Sequence, residues 1–140
     1  IIMAKLTEIK TKVNEVSVME FLNAIENETK RNDSKELYSL MLSHAKQEGK
    51  MWGDSIIGFM KFVVSSPSGR NVEWFRIGFS PRKNYISLYL NLDLREQNIQ
   101  SIAKELGKVK IGRGCINFNK LESLDITVLN QLIKMSMENK

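Results

Sequence analysis

Apolar and polar residues trade places strictly along Tyr85-Ile86-Ser87-Leu88-Tyr89-Leu90. Ile86, Leu88 and Leu90 therefore share one face of a strand, and Tyr85, Ser87 and Tyr89 the other. The turn Ser80-Pro81-Arg82-Lys83-Asn84 precedes it. Before that turn, Glu73 to Phe79 reads as a strand with Phe75, Ile77 and Phe79 on one side and Trp74, Arg76 and Gly78 on the other. Ile56 to Val64 is almost continuously apolar, which suits a central strand buried on much of both faces. Ser65 to Asn71, with its Pro and Gly, is the loop between them. Three strands on short connections predict an antiparallel meander. Cys115 to Phe118 adds a short fourth strand.

Helical spacing flanks this block. Val18, Phe21, Leu22 and Ile25 form one stripe, opened by a Ser17/Glu20 capping box with Val16 stapled on Phe21, and ending near Asn27. Glu28 to Asn32 breaks the pattern. Asp33 with Glu36 starts a second helix, in which Leu37, Leu40, Met41 and His44 recur to about Gln47, with Gly49 at the stop. Asp93 with Glu96 opens a third, striped by Ile99, Ile102, Ala103 and Leu106 and closed by Gly107. Ser123 or Asp125 starts the last, which buries Val128, Leu129, Leu132 and Ile133 and frays from Met135 to Lys140. Polar residues 1–14 read as a loose tail, with Met3 the expected natural start, and 15–138 as a single domain. The order α-α-β-β-β-α-β-α predicts an α+β fold, an antiparallel sheet of about four strands with helices packed on one face.

Composition narrows the classes. The 140 residues are 42% hydrophobic, enough for one domain with its own core. No apolar run approaches the roughly 20 residues of a membrane span, and no signal-peptide pattern is seen at the N-terminus. A lone Cys115 excludes an internal disulfide and a multi-thiolate zinc site, and points to a reducing, cytoplasmic setting. The net charge of +5 is spread along the chain, so a nucleic-acid partner is not expected.

Candidate chemistry is sparse. His44, the single histidine, falls at the border of a packed stripe. Cys115 begins an apolar strand beside Arg113, and burial as a small hydrophobe is the expectation. The glycines from Gly107 to Gly114 match neither phosphate-binding fingerprint, although Lys108, Lys110 and Arg113, with Arg82 and Lys83, offer a generic anion contact. Trp74, Arg76, Tyr85 and Tyr89 lie on adjacent strands with parity that puts them on one side of the sheet. Aromatics with a guanidinium stack planar ligands or partner side chains; the competing reading is sheet cover, or self-association into a homodimer.

The segments SVMEFLNAI (Ser17–Ile25), KRND (Lys30–Asp33), MWGDSIIGF (Met51–Phe59), GFSPRKNYISLYL (Gly78–Leu90), GRGCINF (Gly112–Phe118) and LDITVLNQLI (Leu124–Ile133) together resemble the YdhG-like family, the domain of unknown function numbered 1801. The resemblance implies a frataxin-like fold and a non-enzymatic binding or chaperone role. One family member is described as an intracellular iron chaperone supplying iron–sulfur cluster and haem assembly. It therefore also implies iron as cargo, with Glu26, Glu28 and Asp33 as the metal-ligand candidates. In this chain the carboxylates of that region, Glu15, Glu20, Glu26, Glu28, Asp33 and Glu36, are interrupted by Lys30, Arg31 and Lys35.

Overall fold

The computed structural model describes residues 13–65 and 68–139. Residues 1–12 of the expected tail lie outside the described residues. Val13–Asn14 are not tail but β1. The elements that follow are α1 (Val18–Asn23), α2 (Glu28–Ala45), β2 (Lys50–Trp52), β3 (Ile56–Ser65), β4 (Asn71–Pro81) and β5 (Ile86–Leu90). After them come α3 (Gln97–Lys104), β6 (Lys110–Ile111), β7 (Ile116–Phe118), a 3-10 turn (Leu121–Ser123) and α4 (Ile126–Glu138).

The α+β class and the antiparallel pairing stand, but the sheet has seven strands rather than about four, in the order β1-β2-β3-β4-β5-β7-β6. The additional strands β1, β2 and β6 hold two or three residues each. Trp52 ends β2, and Gly53, at a φ of 65°, turns the chain into β3. Among the described residues no helix is long and apolar enough to cross a membrane.

Met51, Ile57, Phe79, Leu88 and Ile116 follow one another across five paired strands and belong to one core. Leu22 of α1, Leu37 and Met41 of α2, Ala103 of α3, and Leu129, Leu132 and Ile133 of α4 close over that face, all fully buried. Helices cover one face of the sheet. At about 25 cal/mol per Å² of apolar surface removed from water, a row of fully buried Leu and Ile is what holds this layer down.

Helix boundaries move where caps decide them. Asn27, not Asp33, caps α2: its side chain accepts from Lys30 N at 2.8 Å, so Glu28 to Asn32 are helical rather than a break. Helix α1 accordingly ends at Asn23. Lys46, in the left-handed region at φ 58°, stops α2 ahead of Gly49. Ser17 does accept from Glu20 N (3.2 Å), whereas Val16 stands in solvent rather than stapled. Asp93 spends its carboxylate on Arg95 N (3.0 Å), and α3 starts after Glu96 with no side-chain cap. Asp125 caps α4, which stays helical to Glu138 instead of fraying at Met135. Gly107 sits in a bridge to Leu124 at φ 133°, where a Cβ would come within 2.3 Å of the Ser123 carbonyl oxygen.

Alternation fails once, in the middle of the β3–β4 hairpin. Met60 has φ 63°, a conformation unusual for any residue but glycine. The ladder passes from Phe59↔Ile77 to Lys61↔Phe75 without a Met60–Arg76 pair. Both Phe59 and Met60 consequently stay with the helix-side core. Phe75 crosses to the other side. Its ring lies 2.6–3.0 Å from where Cβ atoms of Gly58 and Gly78 would stand, and those two glycines pair with each other. Phe75 thus does not share a face with Ile77 and Phe79. Burial of β3 follows the same division: its first half is buried, while Val63 and Val64 near the tip are exposed.

Candidate functional site: the helix-free face of the sheet

Period-two geometry sends Lys110, Asn117, Ser87 and Ser80 to the face without helices, because they pair successively across β6, β7, β5 and β4 and alternate with core residues. Ser87 Oγ donates to Asn117 Oδ1 (2.7 Å), and Ser80 Oγ to the Ser55 carbonyl (2.6 Å). The first bond fixes the Asn117 amide with its NH₂ left as a donor.

Beside this polar row lies a recess of about 640 Å³. Tyr85, Lys108, Lys110, Asn117 and Asn119 line it, with Val109 and Phe118 beneath. Lys108, Lys110 and Asn119 are exposed, and Tyr85 is 38% exposed. Among the described residues no carboxylate borders the recess, and neither lysine has an ion-pair partner. Its polar side chains are ammonium groups, amides and a phenol. That set favours negative charge.

Further across the same face, aromatic rings form a second packed layer. Trp52 and Phe75 are 2% and 1% exposed although, among the described residues, no helix covers this side. Trp74 stacks on Phe75 with centroids 4.4 Å apart, and Trp52 meets Phe75 edge-on at 5.4 Å. Tyr89 closes the group, perpendicular to Phe75 at 6.0 Å, and its hydroxyl accepts from Arg82 Nη2 at 3.1 Å.

The four residues expected to form one stacking surface are divided. Trp74 and Tyr89 join through Phe75, and Tyr85 belongs to the recess. Arg76 leaves the set: its guanidinium lies 4.4 Å from the Phe62 ring centroid and donates to the Asn139 carbonyl at 2.5 Å. The irregularity at Met60 that sends Phe75 across the sheet is what separates Arg76 from the aromatics. The basic residues are divided as well. Lys108 and Lys110 enter the recess, while Arg113 lines a different cleft. The Arg82 and Lys83 carbonyls are both held by the Lys30 ammonium, the second at 2.5 Å. Burial lowers the Lys30 pKa from its ordinary value.

Asn117, Asn119 and the Trp52–Phe75 packing belong to this candidate face although the residue pattern did not point to them. Gly58 and Gly78, isolated in strand interiors, were the available signal, since such glycines mark a close approach by another group.

Among the described residues no three His, Cys, Asp or Glu side chains gather to hold a metal ion. Glu26 and Glu28 are exposed, and Asp33 accepts from Leu121 N at 3.0 Å, fastening α2 to the 3-10 turn. His44 Nε2 lies 2.8 Å from Asn130 Oδ1, joining α2 to α4. Cys115 is half-buried rather than interior, since it ends a tight turn closed by Gly112 N donating to its carbonyl (2.8 Å).

No family model, no curated protein and no solved structure matches this chain.

Proposed function

We propose that this chain is a non-catalytic binding module of the YdhG-like type, and that its helix-free sheet face takes up an anionic ligand between Lys108 and Lys110. The observation that carries the reading is the composition of the recess: two unpaired ammonium groups, two amides and a phenol, with no bordering carboxylate among the described residues. Ser87 supports it from behind by orienting Asn117. Both lysines are exposed, so each ion pair with the ligand is discounted by water to about 0–1 kcal/mol, and the amide and phenol contacts add to that. The exposed Tyr85 ring supplies a wall for a planar portion of the ligand.

The residues do not favour the iron cargo that the resemblance implies. Asp33 is committed to Leu121 N, and among the described residues no three His, Cys, Asp or Glu side chains gather around Glu26, Glu28 or any other position.

Titration of isotope-labelled protein with pyrophosphate, and separately with citrate, tests the proposal by amide shifts. At least one anion moves Lys110, Asn117 and Asn119 saturably. Changing Lys108 and Lys110 together to Ala weakens that binding by about tenfold or more, equivalent to about 1.4 kcal/mol. Added salt weakens it too, because both lysines are exposed. Absence of any response at these amides to either anion overturns the reading.

A further inference from the structure

A separate recess lies under the flank of the β3–β4 hairpin, with a volume of about 750 Å³. Small-molecule sites occupy about 300–1,000 Å³ and combine apolar walls with a few placed polar groups. Phe62, Val64 and Trp74 of the hairpin form one wall, and Leu92, just beyond β5, faces them as part of the lining. Arg95 and Arg113 also border the cleft, and both are exposed.

We propose that this cleft binds a small amphipathic monoanion, an aryl carboxylate, at a site separate from the Lys108–Lys110 recess. Charge selects the class. Asp93 is the one carboxylate in the lining among the described residues, and it is held by Arg95, whose Nε and backbone N donate to the same oxygen at 3.2 and 3.0 Å. Two guanidiniums against that carboxylate leave one positive charge in excess. Arg113 carries it, with no hydrogen-bond or ion-pair partner among the described residues. A guanidinium presents a planar fork that fits a carboxylate through two parallel N–H bonds.

The back of the cleft is already fixed. Asn139 Nδ2 donates to the Asn91 carbonyl (2.6 Å), Asn91 Nδ2 donates to the Asn139 carbonyl (3.0 Å), and Arg76 donates to that same oxygen. This knot ties the end of α4 to the end of β5, so the apolar walls keep their separation without a ligand. Arg76 also occupies one side of the Phe62 ring. The hairpin's remaining aromatic and aliphatic surface receives the ligand's ring, and Arg113 receives its carboxylate.

The test is an amide-shift titration of the full chain with 2-naphthoate, repeated with 2-naphthamide, which has the same rings without the charge. Naphthoate moves the Trp74 indole and the Leu92 and Arg113 amides while leaving Lys110 and Asn117 unmoved. Naphthamide binds about tenfold or more weakly by comparison, and so does naphthoate to Arg113→Ala, with Arg113→Lys intermediate. Equal binding of the two compounds, unchanged binding to Arg113→Ala, shifts centred on Lys110, or no shifts at all would each overturn the proposal. Because the pyrophosphate and citrate titrations report on different amides, either site can fail without the other.

Discussion

The two faces of this sheet are both buried near their centres, yet by different means. On the helix side, Ile57, Phe79, Leu88 and Ile116 are covered by side chains from four helices, an interlayer packing of Leu, Ile and Val. On the helix-free side, the sheet covers itself. Phe75 lies flat on two paired glycines, and Trp52, Trp74 and Tyr89 surround it. A large ring needs no opposing layer where the strand below has no side chains. The difference teaches that a face without helices is not a bare face: Ser80 and Ser87 of its polar row are themselves buried, and Lys108, Lys110 and Asn119 stand exposed around the recess at the β5–β7–β6 end.

The comparison breaks most directly at Phe75. Truncating a buried Phe to Ala costs about 3–5 kcal/mol and a buried Leu to Ala about 2–5. Phe75→Ala is therefore expected to destabilise as much as Leu132→Ala in the helix layer, measured by urea unfolding of the two variants. A cost for Phe75→Ala below about 0.5 kcal/mol, the range of surface changes, would show that the aromatics are decoration rather than a second core.

A somewhat smaller effect sharpens the same point. The three atoms nearest a Cβ at Gly58 all belong to side chains, two of Phe75 at 2.6–2.7 Å and one of Trp52 at 2.8 Å, whereas the atom nearest one at Gly78 is the Ile57 carbonyl oxygen at 2.6 Å. Gly58→Ala is expected to cost about 1–3 kcal/mol through overpacking. In a Phe75→Ala background both Phe75 contacts are gone and the Trp52 contact remains, so part of that cost disappears, giving a coupling within the range of about 0.5–3 kcal/mol seen for residues in contact. Additive costs would mean that the glycine serves the backbone and not the ring.

These positions also show what was legible in the chain. Tyr85 to Leu90 keeps perfect alternation, and the Val128–Leu129–Leu132–Ile133 stripe has helical spacing, so both were readable from side-chain periods alone. β1, β2 and β6 are too short to have a period, and they exist because neighbouring strands offer free edges, which no local pattern records. The crossing of Phe75 was hidden because period two presumes a regular ladder, and Met60 interrupts it with a conformation its side chain gives no reason to expect. Of the site, Tyr85 and the two lysines were visible as residue types. Their meeting with Asn117 and Asn119 depends on β6 folding back on β7, and Arg113 parts from them at that turn.

The smallest expected effect concerns Lys30, which reaches from α2 to the turn that connects the two faces' shared strands β4 and β5 and donates to the Arg82 and Lys83 carbonyls. Burial lowers its pKa below the ordinary 10.5, so in the alkaline window just under 10.5 the unfolded chain binds more protons at this site than the folded one. Stability then rises with pH across that window, the sign set by proton linkage. The increment is absent below the folded value, where both states are protonated. Lys30→Met removes the titration, so the stability of the native chain minus that of the variant should grow as pH is raised toward 10.5, followed by urea unfolding at a series of alkaline pH values. A difference that stays flat, or shrinks, would mean that the two carbonyls stabilise the ammonium more than burial penalises it, and that the turn is held by a charged tether throughout.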